Sequence, residues 1–498
     1  MLTAHLPQSL SRLLRRPPAE DAHLPPAWQL DAPLIRFSKR DPWRVRDAFE
    51  GTQIFGATGS GKTSGSGRLL ALNLLQHGFG GLVLTAKPDE ADRWRAYAKH
   101  VGRGTDVRLF RVGEQAAFNF LAYELAHAGR GESLTGNLVE LFCTVVEASE
   151  RRRQGVANEA YWERALRQLL RNAIDLVVLA TGSLSLPDLA RVITSAPNSR
   201  EDARDPQWQA DSLCYQLMSQ AQERVPPDDP RRGDLEVTIS FWLEDFAGLA
   251  ERTRSIVTNS FTSLCDGFLR SPMRELFCGE TTLSPDDVLA GAVVVIDLPL
   301  KQYQETGRLA QVLWKHVFQR AVERRDSKAH PRPVFLWADE AHLFVTRHDA
   351  EFQSTARSSR CATVYLTQGL PNYHAMLGGP SSGEAESLLA NLSTKIFHAN
   401  GDVTTNEWAQ RLFASTWTTR GAFGSSSQRA ADPLDGLVTT TSANHQQSLD
   451  PQVIAHRFTT LRKGGPAAKF QVEGIVHQSG RVWKASQSTA LPTVFTQK

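Results

Sequence analysis

Two hydrophobic patterns alternate along this chain. Short runs of consecutive apolar residues are separated by stretches with helical spacing, which is typical of buried strands joined by helices. The runs lie at residues 52–55, 81–86, 107–112, 291–299, 333–338, 362–366 and 395–399. Strands that are apolar throughout belong to sheets covered on both faces. The pattern therefore predicts an α/β fold with a mainly parallel sheet.

The pattern changes between the third and fourth runs. Residues 121–280 have few β-prone runs and many helical periods, at 134–146, 160–179, 186–192, 211–223, 237–249 and 255–269. We predict that this segment is an all-helical insertion. It would divide one α/β domain into the parts 31–120 and 281–498, preceded by an N-terminal arm at 1–30.

The carboxyl-terminal part carries two weaker patterns. Residues 416–447 are rich in Ser, Thr and Gly and are expected to form a mobile loop. Alternating apolar and polar residues at 470–476 and 480–483 predict a β-hairpin. No internal repeat is visible along the chain.

The composition narrows the class of protein. The chain has 498 residues, 41% of them hydrophobic and 22% charged, as in an ordinary globular protein of several domains. No run of about 18 uncharged apolar residues occurs, so no transmembrane helix is predicted. Five cysteines without a CxxC pair indicate neither a zinc site nor a disulfide framework, which suits a reducing cytoplasm. A net charge of +3 is too small to indicate nucleic-acid binding without local basic patches.

The N-terminal segment leaves the localisation open between two possibilities. Its leucines recur at helical spacing with arginines between and after them: Leu6, Leu10, Arg12, Leu13, Leu14, Arg15 and Arg16. Such a helix could dock on a membrane surface or a partner, or it could be a frayed tail or pack on its own domain. We expect a cytoplasmic protein, either free or peripheral at the inner membrane.

One motif after the first apolar run indicates the chemistry. It matches the phosphate-binding P-loop and is followed by a helical period; its residues are Gly56, Ala57, Thr58, Gly59, Ser60, Gly61, Lys62, Thr63 and Ser64. A strand–loop–helix unit aims backbone N–H groups and the positive end of a helix dipole at a phosphate. Lys62 is placed to reach the β- and γ-phosphates, and the Thr63 hydroxyl to bind Mg²⁺. We predict ATP and Mg²⁺ as cofactors; a chance match has odds on the order of 1%.

Two acids directly follow the apolar run at 333–338. At the carboxyl edge of a parallel sheet, Asp339 can hold the water shell of Mg²⁺ together with Thr63. Glu340 can polarise a water for in-line attack on the γ-phosphate. A solvated turn at a strand end is the alternative, and the P-loop upstream makes it the weaker one. We therefore predict Asp339 as a metal ligand and Glu340 as a catalytic residue.

Further candidates flank the next run. Gln368 follows the apolar run at 362–366, at the same carboxyl edge of the sheet. An amide there could hydrogen-bond the γ-phosphate or the attacking water; an ordinary strand end is the alternative. Arg357 and Arg360 precede the run. An arginine that projects from this segment across a subunit boundary could stabilise transition-state charge on a neighbour's nucleotide. Either one could equally be a solvated surface arginine.

Taken together, these motifs resemble a known family. The P-loop, the acidic strand end and the strand end at Thr367 and Gln368 are similar to those of the FtsK/HerA superfamily of hexameric translocases. Finer features resemble the TraG/TraD-type conjugative coupling ATPases of type IV secretion, in the segments 118–121, 271–277, 295–299 and 389–397. The resemblance extends in order over residues 50–480.

The resemblance implies a RecA-like P-loop NTPase that works as a homo-hexamer and translocates single- or double-stranded DNA. Relaxase or secretion-channel proteins are implied as further partners. The family's arginine finger falls on Arg357, with Arg360 as the second choice, and the helical insertion would help to engage substrate. Two features depart from the family. No transmembrane helices are predicted, and the family's Asp-x-Lys after the second strand is Thr85-Ala86-Lys87 here.

Other functions stay open from the residues alone. The same motor could serve a mobile element or an anti-phage module without secretion, or could move a protein. An ATP-gated assembly scaffold would have no need of Glu340. Pore loops of the ring are the stronger expectation for DNA contact, although a basic stretch could also contact phosphates: residues 151–153 with Arg164, Arg167 and Arg171. A solvated helix face is the alternative for that stretch, and no separate carboxylate cluster indicates a nuclease.

Overall fold

The fold is built on the seven predicted apolar runs, each of which overlaps a strand. The structure is a computed structural model that describes residues 21, 23–127, 135–150, 159–429 and 437–498. The strands in these ranges are β1 Pro33–Ser38, β2 Asp41–Arg44, β3 Thr52–Phe55, β4 Gly80–Leu84, β5 Val107–Phe110, β6 Val293–Ile296, β7 Val334–Ala338, β8 Cys361–Thr367, β9 Thr394–Phe397, β10 Ser415–Arg429, β11 Leu437–Pro451, β12 Gln471–Gln478 and β13 Leu491–Thr496.

The stretches with helical spacing form helices. The α-helices of the described ranges are α1 Val45–Phe49, α2 Arg68–Gln76, α3 Glu90–His100, α4 Phe120–Ala126, α5 Gly136–Glu150, α6 Glu159–Thr181, α7 Leu186–Thr194, α8 Pro206–Asp211, α9 Leu213–Arg224, α10 Arg232–Ser240, α11 Glu251–Leu269, α12 Met273–Phe277, α13 Pro285–Ala290, α14 Leu300–Arg324, α15 His348–Thr355, α16 Leu370–Met376, α17 Glu384–Asn391, α18 Val403–Leu412 and α19 His456–Thr459. Two π-helical turns, Thr63–Gly67 and Phe241–Phe246, adjoin α2 and α10.

Nine strands form the central sheet, in the order β13-β12-β9-β3-β8-β7-β4-β6-β5. From β5 to β9 all neighbours are parallel, whereas β12 is antiparallel to β9 and β13 to β12. The prediction of an α/β fold with a mainly parallel sheet is therefore confirmed. Strand β3, which leads into the P-loop, lies between β8 and β9.

The sheet separates two apolar cores, because successive residues of a strand point to opposite faces. Leu82 and Leu84 belong to one core and Val83, between them, to the other. The Val83 core includes α2, α3 and the β1–β2 hairpin. The opposite core continues into the helices that lie between β5 and β6; there the ring of Phe118 packs 4.2 Å from that of Trp314 on α14.

The segment predicted to be helical is helical. Helices α4 to α12 lie within it, and its described residues contain no strand. No single helix in the described ranges has the length and apolar run that a membrane crossing requires; Glu163–Thr181 and Leu186–Thr194 meet the requirement only as a pair, and they are bent by 113°.

The prediction of a mobile loop at 416–447 is wrong. Within its described residues, the segment is an antiparallel ribbon of β10 and β11, in continuous register from the pair Ser415 and Pro451 to the pair Arg429 and Leu437. Serine and glycine suggested a loop, but the threonines that recur in both strands are β-branched and favour extended backbone.

The predicted hairpin has a different second strand. Strand β12 pairs with β13 and not with residues 480–483. Trp483 makes only an isolated bridge to Ser488, and its ring is fully buried against Phe37. The apolar character of Trp483 thus reflects burial in the core rather than strand pairing.

Some expectations fall outside the described residues, namely those on the leucines and arginines at 6–16 and on the arginines at 151–153. Of the predicted arm at 1–30, residues 21 and 23–30 are described. The Trp28 indole N–H donates to the His77 carbonyl at 2.9 Å, so this part of the arm lies against the α/β domain.

Candidate functional site

The P-loop lies at the carboxyl edge of the central sheet, between the ends of β8 and β9. Two backbone bonds fix it there: the Gly56 N–H donates to the Thr367 carbonyl at 3.2 Å, and the Ala57 N–H to the Ala399 carbonyl at 2.9 Å. Gly59 and Gly61 have φ of +73° and +86°, a region that glycine adopts without strain. A Cβ on Gly61 would also lie 2.6 Å from Val472, so β12 packs directly on the loop.

The loop presents free donors to a ligand. Among the described residues, no backbone carbonyl accepts from the N–H groups of Gly59, Gly61 and Lys62. The chain then enters the π-helical turn at Thr63–Gly67, where the Gly67 N–H donates to the Lys62 carbonyl at 2.8 Å. Successive N–H groups at the start of a helix form an anion site. This is the geometry that a phosphate chain requires.

The Thr63 hydroxyl and the carboxylate of Asp339 meet at the end of β7. Thr63 Oγ1 donates to Asp339 Oδ2 at 2.8 Å, although the two residues are 276 positions apart. A hydroxyl and a carboxylate are hard oxygen donors of the type that Mg²⁺ prefers. The described residues contain no group of three or more His, Cys, Asp or Glu side chains suited to a metal. The hydroxyl and the carboxylate together fit a Mg²⁺ that takes its other ligands from phosphates and water.

Glu340 is held between two lysines. Its Oε1 lies 3.8 Å from Lys62 Nζ and 3.5 Å from Lys87 Nζ, and its side chain is only 10% exposed. The residue has φ of +53°, a left-handed conformation that is strained for a side chain other than glycine. Its Oε2 is buried, and this carboxylate oxygen of Glu340 has no hydrogen-bond partner among the described residues.

Lys87 and Glu90 also lie at the site, although no role was predicted for either residue. Burial by itself would lower the pKa of the Lys87 ammonium, but the negative charges of Asp339 and Glu340 outweigh this effect and raise the pKa. Glu90 Oε2 accepts from the Ala86 and Lys87 N–H groups at 2.7 and 3.3 Å, which fixes the turn that carries Lys87. Burial, aided by the charge of Asp339, raises the pKa of Glu90 to about 8.

The end of β8 reaches Glu340 through His342. The Nδ1 atom of His342 lies 3.0 Å from Thr367 Oγ1 and 3.9 Å from Glu340 Oε2. Burial lowers the pKa of His342, so its ring is neutral at pH 7. Gln368 follows Thr367 at the same edge, and its carbonyl accepts from Asn400 Nδ2 at 2.9 Å.

Two serines at the start of the P-loop helix contact other segments of the chain. Ser64 Oγ accepts from Gln497 Nε2 at 2.7 Å, and the Gln497 Oε1 accepts from the Gly465 N–H at 2.7 Å. Ser66 Oγ lies 2.6 Å from His398 Nε2. These contacts join the start of the P-loop helix to β9 and to the segment after β13.

The two candidate arginines lie at the opposite edge of the sheet. Both precede β8, so its length of about 20 Å separates them from their own P-loop. The Arg357 side chain is 60% exposed, with Nη1 3.5 Å from Glu50 Oε1. Arg360 is buried: it donates to the Pro331 carbonyl at 2.9 Å and to the Trp28 carbonyl, and it lies over the Phe49 ring at 5.4 Å. Of the two, Arg357 presents its guanidinium to the surface.

Comparisons with known proteins bear on the fold. No protein-family model and no curated protein matches the chain. The unbound monoclinic form of the bacterial conjugative coupling protein TrwBdeltaN70 matches with 15% identity and a TM-score of 0.56, over 93% of this chain and 90% of that chain. The plasmid coupling protein TrwB in complex with ADP and Mg²⁺ matches with 15% identity and a TM-score of 0.54, over 92% and 87%.

TrwB in complex with the non-hydrolysable ATP analogue ADPNP also matches, with 16% identity and a TM-score of 0.54, over 90% of this chain and 86% of that chain. At such identities the likeness concerns the fold. The chain has the P-loop NTPase fold of these coupling proteins over most of its length, as the resemblance implied.

Proposed function

We propose that this chain is an ATPase motor of the conjugative-coupling type, which works as a hexameric ring and translocates DNA. One observation carries the enzymatic part of the proposal. Lys62, Thr63, Asp339 and Glu340 come from two distant segments and converge at one edge of the sheet, which supports a site for ATP hydrolysis there. The complexes of TrwB with ADP and Mg²⁺ and with an ATP analogue support the choice of nucleotide.

In this proposal the P-loop binds the phosphates through its free N–H groups. When ATP binds, Lys62 leaves Glu340 and contacts the β- and γ-phosphates, because a phosphate chain carries more negative charge than one carboxylate. Mg²⁺ bound beside Thr63 and Asp339 would neutralise charge on the phosphates. The cofactor-binding residues are thus the predicted P-loop set, 56–64, with Thr63 and Asp339 at the metal.

Hydrolysis then depends on Glu340. When Lys62 turns to the phosphates, Lys87 still holds Oε1, and Oε2 is free to accept a proton from the attacking water. Gln368 and Thr367 lie at the end of β8, and Thr367 contacts His342, so these residues can report the state of the γ-phosphate to the rest of the sheet.

Arg357 would complete the site of a neighbouring subunit. It is exposed and lies at the edge opposite to its own P-loop, so it serves another nucleotide only if subunits pack head to tail. Arg360 is bound within its own subunit and is the poorer candidate. A closed ring of six is the assembly implied by the family resemblance.

The DNA substrate and the secretion partners rest on the matches to coupling proteins. TrwB is a conjugative coupling protein by its description. By analogy, this chain would move single- or double-stranded DNA, receive it from a relaxase and deliver it to a secretion channel. It would work in the cytoplasm, either free or peripheral at the inner membrane.

The test is the ATPase rate of the purified full chain, alone and with single- or double-stranded DNA. We expect Mg²⁺-dependent hydrolysis that at least one DNA accelerates. Glu340→Gln should bind ATP normally and lose turnover by on the order of 10²-fold or more, because the amide cannot take a proton. Absence of hydrolysis would refute the enzyme, and hydrolysis indifferent to both DNAs would refute the DNA motor.

A further inference from the structure

The β10–β11 ribbon is longer than any other strand pair in the described part of the chain. Its two fifteen-residue strands pair only with each other, and among the described elements they pack closely on no other helix or strand. At about 3.4 Å per residue each strand spans roughly 50 Å. A two-stranded ribbon is at best marginally stable in water without further packing. We therefore expect this ribbon to pack on a surface outside its own subunit.

The ribbon has one apolar face. The register pairs Trp417 with Leu449 and Phe423 with Ala443, and all four lie on the same side, because they are an even number of positions apart along each strand. The exposed fraction is 69% for Trp417, 83% for Phe423 and 55% for Leu449. The other side carries polar pairs such as Thr418 with Ser448. Large exposed aromatic residues on one face mark an interaction surface.

The charge of the ribbon disfavours nucleic acid as the partner. Residues 415–451 contain two arginines, Arg420 and Arg429, and three aspartates, Asp432, Asp435 and Asp450, without any lysine. Binding to a phosphate backbone relies on an excess of lysine and arginine. An apolar face on a segment with a net charge of −1 suits a protein surface instead.

The base of the ribbon indicates which protein surface lies within reach. The Ala414 N–H donates to Thr489 Oγ1 at 2.9 Å, and Ser488 Oγ donates to Gln452 Oε1 at 2.5 Å. On the domain side, Thr489 and Ser488 lie in the connection between β12 and β13. This connection is at the amino-terminal edge of the sheet, because Gln478 at the end of β12 pairs with Thr394, the first residue of β9.

Arg357 lies at that same edge. It is paired with Glu50, just before β3, and β8, β3 and β9 are adjacent strands. The connection that holds the ribbon begins at β12, three strand spacings from β8, or about 15 Å. The ribbon therefore leaves the subunit at the same edge of the sheet as the arginine that is proposed to reach a neighbour's nucleotide.

We propose that the ribbon docks its apolar face, through Trp417 and Phe423, on a second copy of this chain, the ring neighbour that receives Arg357. This inference rests on the proposed head-to-tail ring and names the surface that holds it together. The interface is heterologous, because the ribbon of one copy meets a different surface of the next.

The experiment places the photo-crosslinker p-benzoylphenylalanine in the full chain at Phe423, with Asn444 as the matched control. Asn444 is exposed and lies at the same level of the ribbon on the polar face, where it pairs with Ala422. Irradiation with ATP and Mg²⁺, in the presence and absence of single- and double-stranded DNA, should give a chain-to-chain adduct from position 423. The adduct from position 444 should be at least tenfold weaker.

A second measurement covers the case in which the crosslinker disturbs the ribbon. The double variant Trp417→Ser/Phe423→Ser should raise the concentration of half-maximal assembly at least tenfold in sedimentation, while Asn444→Ser leaves it unchanged. An adduct to DNA in place of the chain, or equal adducts from both positions, would overturn the inference. A chain that assembles and hydrolyses ATP without any adduct from position 423 would overturn it as well and leave the proposed motor intact. If the chain neither assembles nor hydrolyses ATP, both proposals fail.

Discussion

Removal of the Arg357 side chain separates a catalytic role from a structural one. Among the described residues, the side-chain interaction that Arg357→Ala removes is the ion pair with Glu50, at 3.5 Å and with the arginine 60% exposed. Exposed ion pairs of this kind contribute about 0.2–1 kcal/mol. The free energy of unfolding should therefore fall by about 1 kcal/mol or less.

Hydrolysis should respond very differently. An arginine finger supplied in trans accelerates phosphoryl transfer by about 10³–10⁵-fold. Arg357→Ala should thus bind ATP with unchanged affinity and lose nearly all turnover. Arg270→Ala is the matched control, because Arg270 is 74% exposed and paired with Asp266 on the helical segment, far along the chain from the site.

The assay mixes Arg357→Ala with Lys62→Ala subunits, each inactive alone. In randomly mixed rings about one interface in four joins an intact P-loop to an intact finger, so about a quarter of wild-type activity should return if interfaces act independently. No recovery in rings shown to be mixed would refute Arg357 as the finger. The role would pass to Arg360 if Arg360→Ala were inactive alone and regained activity when mixed with Lys62→Ala.

Three further predictions concern the candidate nucleotide site and its neighbours. Lys62→Ala should weaken ATP binding by about ten- to a hundredfold, since a charge-assisted hydrogen bond is lost, as measured by fluorescent-nucleotide titration; unchanged affinity would contradict the P-loop assignment. Lys87→Ala should lower kcat by about tenfold or more and leave ATP binding unchanged, because only the position of Glu340 is affected; an equal change in both would argue against a positioning role. Burial raises the pKa of Glu90 to about 8, so the folded chain binds this proton more tightly than the unfolded chain does. The contribution of Glu90 therefore makes the free energy of unfolding fall as pH rises from the ordinary carboxyl range to pH 8. Glu90→Gln should flatten that fall in denaturant titrations without nucleotide, and an identical slope in both proteins would mean that Glu90 is ionised in the folded state.

Much of the fold could be predicted from local sequence. The strands of the parallel sheet are buried on both faces, so they appear as continuous apolar runs, and β3, β7 and β8 form close to where these runs lie. The ribbon was missed because its apolar residues, such as Trp417 and Phe423, are sparse among threonine and serine. Among the side chains that the structure describes, none from these strands belongs to either apolar core.

The candidate site shows a similar division. Lys62, Thr63, Asp339 and Glu340 follow from local motifs, and the structure brings them together. Two features of the site could not be predicted: the contact of Lys87 with Glu340, and the burial of Arg360 where Arg357 is exposed. Arg360 is buried through Trp28 and Phe49, more than 300 positions away in the sequence. Contacts over such separations depend on the tertiary fold and leave no local pattern.

The central claim is that hydrolysis at this site drives movement along DNA. The direct test is displacement of streptavidin from biotinylated single- and double-stranded DNA by the full chain. We expect displacement of streptavidin from at least one DNA with ATP and Mg²⁺, and none with ADPNP or with Glu340→Gln. ATP hydrolysis that is stimulated by DNA but displaces streptavidin from neither DNA would contradict the account.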